Sequence, residues 1–385
     1  MTDYKKTIQQ LKKEGRYRKR ISTRSAQDIY LKVNNRTLSN FSSNNYLNLA
    51  NSSYLKNQFK TNISKYGIGS GSSPLISGYS IAHLNLEKRI SRLLGFESTL
   101  VTNSGYLSNV GLLNAVSKNK IDVFQDRENH NSIIESSRLS NTKLIRYQHL
   151  NYKDLEEKIL SSNSKDKIIF ADSVFSMTGE KSDLIKLSSI AKKYKCLLFI
   201  DDAHGFGVSA YDNRIFPSSI NGLDKTKLNI DAYIGTFGKA IGTFGAFISG
   251  SKNLIDLLIQ KSKPYVYSTS LPPALASTTL DSINYIMKNK SITKRLESNI
   301  NLFKDLANQN NIKVSFSNSP IQTMHIGDSK RVMSIHKKAQ MKNIYIQAIR
   351  YPTVPLNKDL IRINLTSDHS KKQIQSLIEF LKQVQ

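Results

Sequence analysis

The feature that most constrains the fold is a pairing of short apolar runs with helical segments in the middle of the chain. Lys167–Ala171 and Lys195–Ile200 are nearly continuous apolar runs, each bounded by charged or polar residues. Between them, Ser182–Tyr194 places Leu184, Leu187, Ile190 and Ala191 at helical spacing. Runs without polar alternation fit strands buried on both faces, and a helix between two of them makes a βαβ unit. The pattern predicts an α/β fold with a doubly wound, mostly parallel sheet covered by helices. His83–Leu94 reads as a further helix and Ala232–Ile234 as a further short strand.

The ends of the chain read differently. Thr7–Arg16 predicts a helix, followed by a short strand pair within the first ~40 residues. Pro272 and Pro273 interrupt the chain, after which Ala274–Met287 has a long helical pattern and a lysine-rich helix follows. Lys313–Phe316, Ile344–Ile349 and Leu360–Leu365 are strand candidates of a smaller α+β domain. No repeat of roughly 20–50 residues is visible.

Composition narrows the class. The 385 residues carry 56 Lys and Arg against 29 Asp and Glu, a balance of +27, with a single cysteine. One cysteine, Cys196, excludes a disulfide framework and a CxxC zinc site. No apolar run approaches the ~18 residues needed to span a bilayer. The basic N-terminus lacks the apolar stretch of a secretory signal, so a cytoplasmic protein is expected. The lysines are spread along the chain, with only short clusters such as Arg18-Lys19-Arg20. A nucleic-acid binder concentrates its cations and interleaves them with aromatics, so that reading is disfavoured. A positive field would still steer anionic substrates or an acidic carrier protein toward the surface.

Four segments carry chemistry. The run ending at Ile200 continues Asp201-Asp202-Ala203-His204-Gly205, putting two carboxylates and a histidine at a strand's carboxyl end. Ligands of open α/β sheets bind there, although aspartate capping a turn beside a loop histidine would give the same letters. A metal site is weaker, because adjacent strand residues face opposite ways. Gly235–Gly245 sets Lys239 in a glycine-rich turn, where a desolvated amine can react with a carbonyl. It is no Walker loop, since Ala240 stands where Ser or Thr is required. Gly67–Ser73 lacks the third glycine of a dinucleotide fingerprint. Asn103–Asn109 is a polar turn before a helical pattern, a place suited to phosphate. A phosphate cradle, an acid at a strand end and an activated lysine are together the parts a pyridoxal phosphate enzyme needs.

With these segments in order, the chain resembles the α-oxoamine synthase family of fold-type I pyridoxal phosphate enzymes. The likeness rests on FSSNNYLNL (41–49), GIGSGSS (67–73), ISGYS (76–80), VFSMTGE (174–180), DDAHGFGV (201–208), TFGK (236–239), VYSTSLPPA (266–274) and AIRYPTVP (348–355). It implies an N-terminal helix and strand segment over 1–49, a large cofactor-binding domain over 50–282 and a C-terminal α+β domain over 283–385.

By the same resemblance, Lys239 would hold the aldehyde of pyridoxal 5′-phosphate, Asp201 its pyridine nitrogen and His204 its 3′ oxygen. His130, in DRENHN (126–131), would stack on the ring. Gly105 and Tyr106 would turn their backbone toward the phosphate, Tyr106 standing where relatives more often have Phe. Ser176 and Thr236 match further cofactor contacts, and Ser268 and Thr269 would reach the phosphate from a second subunit of a homodimer. Asn44 and Arg362 would hold an amino acid carboxylate, with Arg18, Arg350 and Thr353 near an acyl thioester. Pro74 and Leu75 depart from the family pattern on the acyl side, and Asn221–Asn229 is expected to enlarge a surface loop. The implied reaction is the decarboxylative condensation of L-alanine with a pimeloyl thioester, on coenzyme A or an acyl carrier protein, in biotin formation. The sibling reaction joins glycine to an acetyl, succinyl or long-chain acyl thioester.

Overall fold

The computed structural model of the protein describes residues 3–14, 16–117, 121–209, 215–315 and 317–385. The chain forms two units. One comprises Met1–Asn51, Met177–Gly179 and Lys294–Gln385; the other comprises Ser52–Ser176 and Glu180–Thr293. Among the described residues no helix is long and apolar enough to cross a membrane.

In the first unit, β1 (Tyr30–Val33) and β2 (Arg36–Asn40) form the expected strand pair, joined through Asn34 and Asn35, both at positive φ. The N-terminal helix spans Tyr4–Lys13 rather than Thr7–Arg16. Asp3 sets its start by accepting the Lys6 N–H, and Arg16 lies beyond its end, its N–H turned back to the Leu11 carbonyl.

The second unit is built on a seven-stranded sheet. Its strands are β3 (Ser98–Thr102), β4 (Asp122–Asp126), β5 (Lys143–Tyr147), β6 (Lys167–Asp172), β7 (Leu197–Asp201), β8 (Ala232–Thr236) and β9 (Ala246–Gly250). The spatial order is β3-β9-β8-β7-β6-β4-β5, and only β9 runs antiparallel to its neighbours. Ile168, Phe170, Phe199, Ile234 and Ile248 are almost wholly buried in its core, as apolar runs without alternation require. The run expected from Lys195 begins its strand at Leu197, because Lys195 takes a left-handed turn at φ 52°. Helices Ile81–Leu94, Leu184–Lys193 and Pro273–Lys288 form where the periodicity puts them, within a few residues. Within Asn221–Asn229, Asn221 is buried and donates to the Phe216 carbonyl, so this stretch is anchored at its start.

The rest of the first unit's sheet structure corrects two expectations. Lys313–Phe316 does not form a strand: Ser315 makes an isolated bridge to Thr323, and Phe316 lies outside the described residues. Ile344–Ile349 is not one strand but two. β11 (Ile344–Tyr345) pairs with β2, while β12 (Gln347–Ile349) pairs with β13 (Leu360–Asn364). Between Ser315 and β11 the chain adds an unexpected strand, β10 (Ile321–His325), which runs antiparallel along β13. Its apolar signal is masked by Gln322 and Thr323, both fully buried, and Gln322 satisfies its amide on the Ser317 and Ser319 carbonyls.

Candidate active site

Three neighbouring parallel strands each end in a buried aspartate: Asp126 on β4, Asp172 on β6 and Asp201 on β7. Register places Asp172 directly beside Asp201. Two carboxylates at that spacing repel, and burial followed by the Asp201 charge pushes Asp172 well above the carboxylate range. The His130 N–H opposes this by donating to Asp172 Oδ2 at 2.7 Å, and the Lys239 charge also opposes it. Asp201 accepts the Asn109 amide at 2.7 Å and the Ala203 N–H at 3.0 Å.

Asp202 faces the other way, as strand alternation requires. Ser173, Tyr233 and the Ser219 N–H all donate to its fully buried carboxylate. Burial raises its pKa, and those hydrogen bonds hold it back. The two adjacent acids thus serve different surroundings, and they do not converge on one ion.

Lys239 follows β8 in a tight turn. Phe237 donates to the Gly245 carbonyl, Thr243 to the Phe237 carbonyl and Gly242 to the Lys239 carbonyl. Gly242 and Gly245 sit at φ 73° and 105°, backbone that a side chain would strain. His130 is an exposed residue that caps the helix Asn131–Leu139, its Nδ1 accepting the Ser132 N–H at 3.3 Å. Burial lowers the imidazole pKa, the Asp201 charge opposes that, and Lys239 reinforces it. His204 and Ser176 are buried in the same unit, and Thr236 Oγ1 donates to the Ala203 carbonyl.

The helix Gly105–Val116 begins at this sheet edge, with Ser104 accepting the Leu107 N–H. Its first-turn amides are of the kind left without intrahelical partners, and they suit an anion. A Cβ on Gly105 would lie 2.7 Å from Thr236 Cγ2, so only glycine leaves that space open. Ser268 and Thr269 line a cleft with Asn103 and Leu107, and Asn103 donates to the Thr269 carbonyl at 2.8 Å.

These residues fit pyridoxal 5′-phosphate. The opening at Gly105 faces a helix start suited to the phosphate, the Lys239 amine suits the aldehyde and the buried Asp201 carboxylate suits a protonated ring nitrogen. Three residues here were not singled out from the sequence: Asn109, Ser132 and Asp172. Asn109 lies one helical turn beyond Gly105, and Ser132 two residues beyond His130, which are the only local signals.

The first unit holds a second cluster. Arg362 on β13 reaches Asn44 Oδ1 through both terminal nitrogens, at 3.2 and 3.3 Å. The same oxygen accepts the Tyr46 hydroxyl at 3.2 Å and the Asn364 amide at 3.1 Å. Arg362 and Asn364 are two apart and share a strand face, while Ile361 and Ile363 fill the other. Tyr46 and Asn364 were not anticipated. Arg18 donates to Thr353 Oγ1 at 3.2 Å, and the Thr353 N–H closes a turn on the Arg350 carbonyl, so these three expected residues lie together.

The aminotransferase class I and II family matches residues 36–381. The 8-amino-7-oxononanoate synthase of Methylococcus capsulatus is 33% identical over 374 residues, covering 97% of this chain and 96% of that protein. The solved 8-amino-7-oxononanoate synthase of Francisella tularensis is 26% identical, with a TM-score of 0.76 over 90% of this chain and 97% of that one. The serine palmitoyltransferase of Sphingomonas wittichii superposes with a TM-score of 0.92 over 100% of this chain and 98% of its own, at 21% identity, a likeness of fold. The architecture is that of fold-type I transferases.

Proposed function

We propose, from the premise that this chain belongs to the aminotransferase class I and II family, that it joins L-alanine to a pimeloyl thioester to form 8-amino-7-oxononanoate, CO2 and a free thiol in biotin biosynthesis. The observation that carries the reading is the buried Asp201 carboxylate at the sheet's carboxyl edge, in register with Asp172 and tied at 2.7 Å to Asn109 of the helix that begins at Gly105. Its likeness over nearly the full chain to 8-amino-7-oxononanoate synthases supports the choice of substrates. The cofactor is pyridoxal 5′-phosphate.

In this reading Lys239 holds the cofactor aldehyde, Asp201 keeps the ring nitrogen protonated and the first turn at Gly105 and Tyr106 receives the phosphate. His204, Ser176 and Thr236 complete the cofactor contacts. When bound, the cofactor supplies an electron sink for the pair left when a bond at alanine Cα breaks. Arg362 grips the alanine carboxylate with a planar fork of donors, Asn44 aligning it. Displaced from the aldehyde by the alanine amine, Lys239 Nζ would be a free amine able to take the proton from Cα as general base. The Cα–acyl bond forms as the thiolate leaves, the bond to the carboxylate breaks to release CO2, and a proton returns to Cα. Arg18, Arg350 and Thr353 serve the acyl chain.

We also read the enzyme as a cytoplasmic homodimer in which Ser268 and Thr269 serve the partner's phosphate site. Ile68, Ile76 and Tyr267, exposed by 83%, 81% and 81%, support an apolar surface that a second copy would cover. An acidic acyl carrier protein is a fitting thioester donor for a chain of net charge +27.

The test pairs alanine with pimeloyl thioesters on coenzyme A and on carrier protein, against glycine with acetyl or succinyl-CoA. Turnover with alanine and pimeloyl thioester, in a yellow preparation, is expected. Turnover with glycine and acetyl-CoA alone would overturn the substrate choice.

A further inference from the structure

We propose that Asn109 and Ser132 are positioning residues that hold His130 as the neutral tautomer with its proton on Nε2, linking that state to the Asp201 carboxylate. The inference rests on the reading of this edge as the cofactor site only for what the Nε2 proton faces.

Asn109 is fully buried in the helix Gly105–Val116. Its amide nitrogen donates to Asp201 Oδ2 at 2.7 Å and to Ser132 Oγ at 2.8 Å. Its carbonyl oxygen Oδ1 is buried with no hydrogen-bond partner. A buried acceptor is not left unpaired without cost, so something stronger fixes the orientation. Turning the amide over would set its oxygen against the Asp201 carboxylate and lose both donor contacts. Asp201 therefore dictates which way Asn109 points.

The orientation propagates. Ser132 Oγ already accepts from Asn109, and it lies 2.7 Å from His130 Nδ1. The hydroxyl has a second lone pair, so the backbone sets the direction of this contact and the Ser132 proton turns to Nδ1. The Ser132 N–H points at the same Nδ1, at 3.3 Å. A ring nitrogen that accepts two donors carries no proton, so the neutral imidazole must carry its proton on Nε2. Burial and the nearby Lys239 both favour the neutral ring, against Asp201. A carboxylate in direct contact would instead draw a proton onto the imidazole. Asn109 and Ser132, standing between, transmit Asp201 as hydrogen-bond polarity, and His130 presents a donor to whatever lies over it.

The test records histidine 15N–1H correlation spectra of the labelled holoenzyme before any substrate is added, with His130 assigned from His130→Gln. The wild type should show the Nε2–H pattern. Ser132→Ala should give a mixed tautomer pattern and lower kcat about tenfold, with the thioester KM within about twofold. Ser132→Thr, which keeps the hydroxyl, should restore both. Asn109→Ala should also mix the tautomers and weaken cofactor binding about tenfold. A pure Nε2–H pattern with kcat within about twofold of wild type in both alanine variants would overturn the proposal. The spectra precede substrate, so an enzyme inert toward alanine and pimeloyl thioester would fail the substrate reading alone. A cofactor band unchanged in Lys239→Ala would fail the lysine reading alone.

Discussion

At the carboxyl edge of the large sheet, the Asp201 and Lys239 charges act on the protonation of Asp172 and His130, whereas Arg362 in the other unit is gathered by neutral groups. Tyr46, Asn364 and Arg362 all converge on the single oxygen of Asn44. The first arrangement suits chemistry in which protons move, because each charge shifts the cost of the next. The second suits recognition, because a permanent cation needs only to be aimed. Two histidines show the same contrast. His149 lies between Asp126 and Glu180, at 2.8 and 3.0 Å, and although burial opposes the charge, these carboxylates push its pKa to about 9. His369 stacks on Phe41 and is surrounded by backbone, and burial drives it down to about 4.

Substitutions can break this contrast, and the largest effect belongs to the lysine. Lys239→Ala should lower turnover by at least about 10³-fold while the protein keeps its fold. Activity within about tenfold of wild type would remove Lys239 from the mechanism. Arg362→Lys should raise the alanine KM roughly 10–100-fold through loss of the paired contact, worth about 1.5–3 kcal/mol. An unchanged KM would leave the second cluster without a substrate.

The adjacent aspartates sharpen the comparison within one strand end. Asp202→Asn should cost about 2 kcal/mol in a denaturant titration, because the amide leaves buried donors unmatched. Asp201→Asn should instead leave stability within about 1 kcal/mol and depress activity and cofactor affinity. Reversed outcomes would exchange their roles.

The histidines give the smallest effects, with opposite signs. For His369 the folded pKa of about 4 lies below the ordinary value of 6.5, so its contribution is complete above about pH 6.5 and is lost as pH falls toward 4. That acid-side loss, roughly 2–3 kcal/mol, should disappear from the Tm profile of His369→Phe. For His149 the folded pKa of about 9 lies above 6.5, so its contribution is complete below about pH 6.5 and is lost as pH rises through 9. His149→Gln should therefore cost most near pH 6, about 1–2 kcal/mol after solvent screening, and little above pH 9. A cost that grows with pH would contradict the carboxylate pairing.

Much of the larger unit was legible because its strands are buried on both faces and spell themselves as apolar runs. β6, β7 and β8 lie where the runs predict, and the acid and lysine at their ends were marked by the abrupt change of residue type. The smaller unit was less legible. Its strand Ile321–His325 hides two buried polar residues, and Ile344–Ile349 divides between two partners that local spacing does not name. In the site, Lys239, Asp201, His130 and the Arg362–Asn44 pair could be named from motifs. Asn109 and Ser132 could not, since Asn109 finds its acceptor 92 residues away.

The sequence by itself determined the α/β class, the strand ends that carry charge and the lysine in its glycine-rich turn. Period, burial and turn chemistry are all written over a few neighbouring residues. Only the tertiary structure decided which way each polar group points. Asp201 turns Asn109, Asn109 donates to Ser132, and Ser132 leaves the proton of His130 on Nε2. A hydrogen bond's direction depends on every partner present, and here those partners come from three separate segments brought together only by folding.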